Sequence, residues 1–246
     1  MSSDTNGSPA TTARLTGALW LAVIVASLID VLVVPSLNAT GTPAQTAASV
    51  LAAETPYRLG FAANFFASVC YVGVTALLYE LMRPVGRGLA LFAAFAGLAG
   101  IIIGAASAVD ELAAIGLIHD AVQAAPATAS QLQTIAQLAF RPGAEFAVSM
   151  VFFGFQIAAV GYLILRSTFL PRAIGAVLAL GGTSYVIISF AKFVAPAVGA
   201  RLAPLVIPIA LLGEGALTLW LLFKGVDVEK WRRYPARTAP RTGVAG

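Results

Sequence analysis

The residue in this sequence with the most informative chemistry is Glu214, a carboxylic acid near the middle of a long apolar run. Counting about twelve residues, or roughly 18 Å of helix, from the start of that run brings Glu214 to the centre of a lipid bilayer. An ionised carboxylate at that depth costs on the order of 2.5 kcal/mol or more unless it is paired, hydrated or protonated. We therefore expect Glu214 to face the interior of a helix bundle.

Other polar residues occur at similar depth in the neighbouring apolar runs. The same count places Gln156, Tyr185 and Ser184 near the level of Glu214, with Asn64 closer to the outer surface. We expect Glu214 to hydrogen-bond one of the first three. Two roles stay open for this midplane group: a structural carboxyl that joins helices, or a site for a ligand or a proton.

A second set of polar groups lies near the outer ends of the apolar runs. Opposite charges at similar depth can pair and hold helix ends together, or they can line a polar vestibule that leads past Asn64 to Glu214. Adjacent helical residues point about 100° apart, so at most one of Asp110 and Glu111 should point down such a vestibule. The set comprises Asp30, Arg58, Asp110, Glu111, Arg141, Glu145 and Lys192.

Composition excludes several classes of chemistry. With 59% hydrophobic and 11% charged residues and a mean hydropathy of +0.88, the chain is no ordinary soluble domain. One cysteine cannot form an intrachain disulfide, and one histidine cannot form a multi-histidine metal site. No nucleophile elbow, phosphate-binding glycine loop or zinc motif is present. We expect no catalytic residue, cofactor or metal site and, because the positive charges are scattered, no nucleic-acid partner.

The apolar runs predict an all-α fold, a bundle of six transmembrane helices. Each run is long enough to cross roughly 30 Å of hydrocarbon. They cover about 15–35, 58–82, 88–118, 143–165, 173–194 and 203–223. The transmembrane domain, 14–225, should follow a disordered cytoplasmic N-terminus, 1–13, and precede a basic, mostly disordered cytoplasmic tail, 226–246.

Two short surface helices are predicted on the outer face. Thr42, Pro43 and Gln45 form a capping-box pattern that starts one of them. Apolar residues repeat at i, i+3, i+4, i+7 and i+8 in the other, which should lie on the membrane surface: Leu132, Ile135, Ala136, Ala139 and Phe140.

Small residues at spacings of three and four occupy one side of the third apolar run: Ala93, Gly97, Gly100 and Gly104. This spacing lets a neighbouring helix pack close to the backbone. Glycines that line a ligand channel are the alternative.

Basic residues predict the orientation. If the chain crosses six times, eleven Lys and Arg residues lie on the side of the two termini and four on the other. The positive-inside rule then puts both termini in the cytoplasm. The basic tail should attract anionic lipid.

Several segments resemble a bacterial domain-of-unknown-function family numbered 4386. They are ARLTGALW at 13–20, YRLGFAAN at 57–64, LYELMRPV at 78–85, FFG at 152–154 through GYL at 161–163, RSTFLPR at 166–172 and LWLLFKGV at 219–226. The resemblance covers about residues 13–228. It implies a multi-pass protein of the cell membrane and implies no reaction.

Two classes of function follow as hypotheses. The chain either binds or moves a small or lipid-like molecule or acts as a membrane accessory protein, or it is a membrane-embedded enzyme that uses Glu214, Glu145 and Asp110 without a histidine metal site. A continuous cavity that reaches Glu214 favours binding, a solid bundle favours the accessory role, and closely paired carboxylates favour the enzyme.

Overall fold

The computed structural model describes residues 8–33, 41–140 and 144–234, with the backbone alone for 29–33, 144–145 and 205–207. Over these residues the fold is all-α, as predicted. Its helices are α1 (Pro9–Val33), α2 (Pro43–Ala52), α3 (Glu54–Gln123), α4 (Pro126–Ala139), α5 (Ala144–Arg166), α6 (Arg172–Val194), α7 (Pro196–Phe223) and α8 (Val228–Arg233).

Helix α3 is a hairpin of two antiparallel arms. Gly86 leaves helical geometry, with φ −172° and ψ 93°, two residues after Pro84. His119 Nε2 lies 2.9 Å from Glu54 Oε2, whereas a straight helix would separate these residues by about 100 Å. The break falls in the turn that the sequence predicted. We refer to 54–85 as the first arm and to 87–123 as the second arm.

Four of the described helices are long and apolar enough to cross a membrane, and α3 is one of them. A fifth is α7, if its two parts, Pro196–Pro204 and Pro208–Phe223, count as one span bent by 48°. Pro208 has no amide hydrogen for the carbonyl of Pro204, which accounts for this bend. The protein is therefore a membrane protein with several spanning helices.

Glycines allow α5 and α6 to pack backbone against backbone. A Cβ added at Gly182 would lie 2.3 Å from the Ala158 nitrogen, and one at Gly161 would lie 2.4 Å from the Ala179 nitrogen. Only residues without a side chain permit this approach.

The small residues of the second arm face α5. A Cβ at Gly97 would lie 2.5 Å from the side-chain amide of Gln156, and one at Gly100 would lie 3.0 Å from the Phe153 ring. This supports the packing interpretation for Gly97 and Gly100, whereas Gly104 lines the cavity described below, as the alternative interpretation proposed.

One end of the bundle, which we call the α8 end, is closed by α8. Trp231 Nε1 donates to the Leu81 carbonyl at 2.9 Å, and the Tyr234 hydroxyl donates to the Arg166 carbonyl at 2.7 Å. The side chain of Asp227 caps α8, and its hydrogen bond with Lys230 holds the pKa of that carboxyl below its usual range. Helix α1 also starts at this end, because the Cβ atom of Ala13 lies 4.0 Å from where a Cβ added at Gly225 would be.

The opposite end, which we call the α4 end, has a smaller core of its own. Helices α2 and α4 pack there against the two ends of α3. Thr42 and Gln45 form the predicted capping box at the start of α2. Gln137 of α4 donates to the Gly41 carbonyl at 2.8 Å and to Thr46 Oγ1 at 3.0 Å.

Two predicted boundaries differ from the structure. Helix α1 begins at Pro9, so residues 9–13 of the segment predicted to be disordered are helical. Part of the tail predicted to be mostly disordered forms α8, because Trp231 and Tyr234 pack against the apolar core of the bundle. Residues 1–7 and 235–246 lie outside the described residues.

Candidate ligand cavity

A cavity of about 960 Å³ lies inside the bundle, between α1, α4, α5, α6, α7 and both arms of α3. It extends from the α4 end to Glu214. The residues that line it are Val23, Ser27, Asn64, Ala67, Ser68, Tyr71, Ile101, Gly104, Ser107, Ala108, Asp110, Glu111, Ala113, Ala114, Leu117, Ile135, Leu138, Ala139, Phe140, Phe146, Ser149, Met150, Phe153, Ile157, Tyr185, Leu211 and Glu214.

Glu214 forms the inner end of the cavity, together with Tyr185. The Tyr185 side chain of α6 lies within hydrogen-bonding reach of the Glu214 carboxyl of α7. Ser184, one of the other expected partners, instead donates to the Leu180 carbonyl of its own helix at 2.7 Å, and it does not line the cavity. The bundle therefore contains the carboxyl group on its inner wall, with a phenol as neighbour.

Gln156 is not part of the cavity wall. It lies beyond the inner end of the cavity, on the side of the α8 end. Its Oε1 accepts from the Tyr71 hydroxyl at 2.8 Å, and its Nε2 donates to Thr75 Oγ1 at 3.2 Å. The side chain is 2% exposed and lies in the space that Gly97 leaves open. The expected contact between Gln156 and Glu214 is therefore replaced by contacts with Tyr71 and Thr75.

The cavity is closed towards the α8 end. Tyr71 packs edge-on against Trp20, with ring centroids 6.3 Å apart, and against Phe153 at 5.1 Å. Beyond them lies the main apolar core, which contains Leu78 and Leu163. A void of about 10 Å³ is found there, roughly the space of a single water molecule.

Asp110 and Glu111 both line the cavity near the α4 end. Contributing to the lining does not fix the direction of either side chain, so the expectation that at most one of them points down the vestibule stays a prediction. Both residues are exposed. Asn64 lines the cavity from the first arm, as the vestibule hypothesis proposed.

Two other residues of the proposed vestibule have described side chains, Arg58 and Lys192, and neither lines the cavity. Arg58 Nε contacts Glu54 Oε1 at 2.7 Å. Lys192 Nζ lies 6.0 Å from the centre of the Phe146 ring. Arg141 and the side chains of Asp30 and Glu145 lie outside the described residues.

Helix α4 forms a wall of the cavity. Ile135, Leu138 and Ala139 line it, as does Phe140, which follows the helix, while Ala136 and Gln137 are buried against neighbouring helices. The amphipathic pattern was therefore correctly taken as helical. Ile135 and Leu138 line the cavity and are also exposed, so the assignment of this face to the membrane surface stays a prediction.

Five polar residues of the lining were not predicted as site residues: Ser27, Ser68, Tyr71, Ser107 and Ser149. Ser68 Oγ donates to the Asn64 carbonyl and Ser149 Oγ to the Gly100 carbonyl, each at 3.0 Å. Counting residues from the start of the second apolar run gives Tyr71 midplane depth, but nothing in the sequence pairs it with Gln156. Among the described residues, no group of three or more His, Cys, Asp and Glu side chains is arranged to hold a metal ion.

Comparison with protein families gives one match. Residues 15–225 match the family described as a domain of unknown function, DUF4386. The chain belongs to this family. The match covers every helix that bounds the cavity, so the cavity lies within the family domain. Comparisons with curated proteins and with solved structures each found no match.

Proposed function

We propose that this member of the DUF4386 family binds a small or lipid-like molecule in its intramembrane cavity and exchanges it through the α4 end. The continuous cavity that reaches Glu214 is the observation that carries the proposal. A volume of about 960 Å³ matches the upper part of the range of about 300–1,000 Å³ typical of ligand sites. Seventeen of the 27 lining residues are apolar or glycine and ten carry polar groups, and ligand sites likewise combine apolar walls with polar groups that orient the ligand.

The proposal includes a topology of six crossings. The two arms of α3 are counted as separate spans, and the bent α7 as one. The start of α1 and the end of α7 lie at the same end of the bundle, which fits an even number of crossings.

Under this topology the α8 end is cytoplasmic, α2 and α4 are the outer surface helices, and the protein lies in a bacterial cell membrane. The distribution of basic residues supports this orientation. The basic C-terminal tail then faces anionic lipid. The residues on the α8 side are Arg14, Arg83, Arg87, Arg166, Arg172, Lys224, Lys230, Arg232, Arg233, Arg237 and Arg241. Those on the opposite side are Arg58, Arg141, Lys192 and Arg201.

The rival functions have less support. A solid bundle would suit a purely accessory role, but this bundle encloses a cavity. An enzyme with paired carboxylates would need Asp110 and Glu214 close together. Asp110 instead lines the cavity near the α4 end, and Glu214 lines it at the inner end. Paired catalytic carboxyls are about 5–10 Å apart.

The proposal can be tested by filling the cavity. Ala108→Trp places an indole on the cavity wall, whereas Val109→Trp places the same group on the outside of the same helix, where Val109 is exposed. We would purify wild type and both variants from the same membranes, transfer them to nanodiscs and identify the retained small molecules by mass spectrometry.

We expect wild type and Val109→Trp to retain the same molecule, and Ala108→Trp to lose it. Equal retention by all three proteins, or no retained molecule in wild type beyond the bulk lipid composition, would contradict the proposal. A matching melting temperature for the two variants would show that filling the cavity had not unfolded the bundle.

A further inference from the structure

We infer that the ligand of this cavity is an amphiphilic amine: an apolar chain that carries a protonated nitrogen with N–H groups, held at the inner end by Glu214. The inference rests on the proposed function and narrows it to one chemical class. Three features of the wall support it: its charge, the direction of its hydrogen bonds and its apolar surface.

The charge of the wall has one sign. Asp110 and Glu111 lie near the opening and Glu214 at the inner end, while the described lining contains no Lys, Arg or His. Arg58 and His119 both contact Glu54, which is not part of the lining. Lys192 does not line the cavity either, although its Nζ lies 6.0 Å from the ring centre of the lining residue Phe146. In a site with little water, charges act over longer distances and more strongly than at a surface. The cavity therefore favours a cation and disfavours an anion of the same shape.

The hydroxyl groups deep in the cavity present acceptors to a ligand. Ser68, Tyr71 and Ser149 each use their hydrogen on a carbonyl inside the protein: the Asn64 and Gly100 backbone and the Gln156 amide. Each hydroxyl oxygen can still accept a hydrogen bond through its lone pairs, but it has no hydrogen left to donate to a ligand. A ligand that donates hydrogen bonds can satisfy these oxygens and the Glu214 carboxylate, whereas one that only accepts hydrogen bonds cannot.

The rest of the wall suits an apolar chain. Between the inner end and the opening, the lining includes Ile101, Leu117, Leu138, Phe146 and Met150. The Phe153 and Tyr71 rings at the inner end add faces on which a cation is stabilised. An ammonium group at Glu214 would thus place its chain along the cavity towards the α4 end.

The experiment compares four probes with the same eight-carbon chain: octylammonium, octyltrimethylammonium, octanol and octanoate. Binding to protein in zwitterionic nanodiscs is measured by titration calorimetry, with empty nanodiscs subtracted. We expect octylammonium to bind roughly 30-fold more tightly than octanol, since a desolvated charge pair contributes about 2 kcal/mol or more. Octyltrimethylammonium, which has charge but no N–H donor, should bind less tightly than octylammonium, and octanoate least of all.

Two variants test the assignment to Glu214. Glu214→Gln should lose the preference for octylammonium over octanol. Glu80→Gln removes an exposed carboxylate that pairs with Arg83 and lies outside the cavity, and it should keep the preference. The comparison of the four probes uses wild-type protein and needs neither variant. If Glu214→Gln folds poorly, that comparison still tests the inference.

The outcomes separate this inference from the proposed function. Equal binding of octanol and octylammonium, abolished for both by Ala108→Trp, would overturn the amine assignment and leave the binding function intact. A preference for octanoate would also overturn the assignment. If Ala108→Trp changed the binding of no probe, both proposals would fail.

Discussion

Tyr71 lies at the boundary between the cavity and the main apolar core, which fills the bundle towards the α8 end. Its ring lies between Trp20 and Phe153, and its hydroxyl group donates to the buried amide of Gln156. A ligand that enters as far as Glu214 would contact the same ring. Tyr71 thus belongs both to the site and to the structure that closes it.

Tyr71→Phe should destabilise the protein. It keeps the ring but removes the hydrogen bond to the Gln156 Oε1 atom, and leaving a buried acceptor unpaired costs about 1–3 kcal/mol. For a chain of this length we expect the melting temperature in detergent to fall by roughly 2–10 °C. Tyr162→Phe is the control, since Tyr162 is exposed on α5 and should melt like wild type. Equal melting of all three proteins would show that the hydrogen bond contributes nothing.

At the scale of single residues, sequence reasoning placed some groups and missed others. Glu214, Tyr185, Asn64, Asp110 and Glu111 line the cavity because a polar residue in an apolar helix avoids lipid, and that can be read from composition and depth. The position of Gln156 could not be read in this way. It depends on which glycine of another helix faces it, and the sequence does not specify that contact.

At the scale of elements, the contact between α5 and α6 gives the bundle a rigid side. Gly161 and Gly182 meet backbone atoms of the opposite helix, and backbone atoms cannot rotate away. The wall that carries Tyr185 is therefore fixed against the wall that carries Phe153. Helix α4, by contrast, covers the opening with a face that is partly exposed.

Gly182→Ala tests this rigidity. The new methyl group would lie 2.3 Å from the Ala158 nitrogen, so the helices must separate, and overpacking of this kind costs about 1–3 kcal/mol. Gly88→Ala is the matched control, because a Cβ at Gly88 meets nothing within 4 Å and alanine favours a helix over glycine by up to about 1 kcal/mol. We expect a lower melting temperature for Gly182→Ala only. A stable Gly182→Ala protein would mean that α5 and α6 are not in backbone contact.

Most elements could be predicted from apolar run length, the capping box at Thr42 and the turn near Gly86. The role of α4 could not. An amphipathic helix has the same pattern whether its apolar face meets lipid or a cavity, and only the arrangement of the neighbouring helices decides between them. The short helix α8 within the tail could not be predicted either, because the hydrogen bond from Trp231 to the Leu81 carbonyl joins residues 150 positions apart.

At the scale of the whole molecule, the two ends of the bundle differ. The α8 end is packed by large apolar side chains and sealed by α8. The α4 end has a smaller core and contains the opening of the cavity, with Asp110 and Glu111 beside it. Under the proposed function, a ligand enters and leaves by the α4 end.

Cysteine labelling tests this arrangement most directly. Cys70 is the single cysteine of the chain and is buried, so Cys70→Ala provides a background without thiols. In that background we would introduce three single cysteines. Ser107→Cys lies on the cavity wall, and Thr75→Cys lies beyond the inner end of the cavity, in the apolar core. Thr168→Cys, between α5 and α6, marks the α8 end. Each variant would be treated with a small membrane-impermeant thiol reagent, added to one side of sealed vesicles at a time.

The account predicts that Ser107→Cys is labelled only from the side opposite to the one that labels Thr168→Cys, and that Thr75→Cys is labelled from neither side. Labelling of Ser107→Cys and Thr168→Cys from the same side, or of Thr75→Cys from either side, would contradict a cavity that opens at the α4 end and is closed at the α8 end.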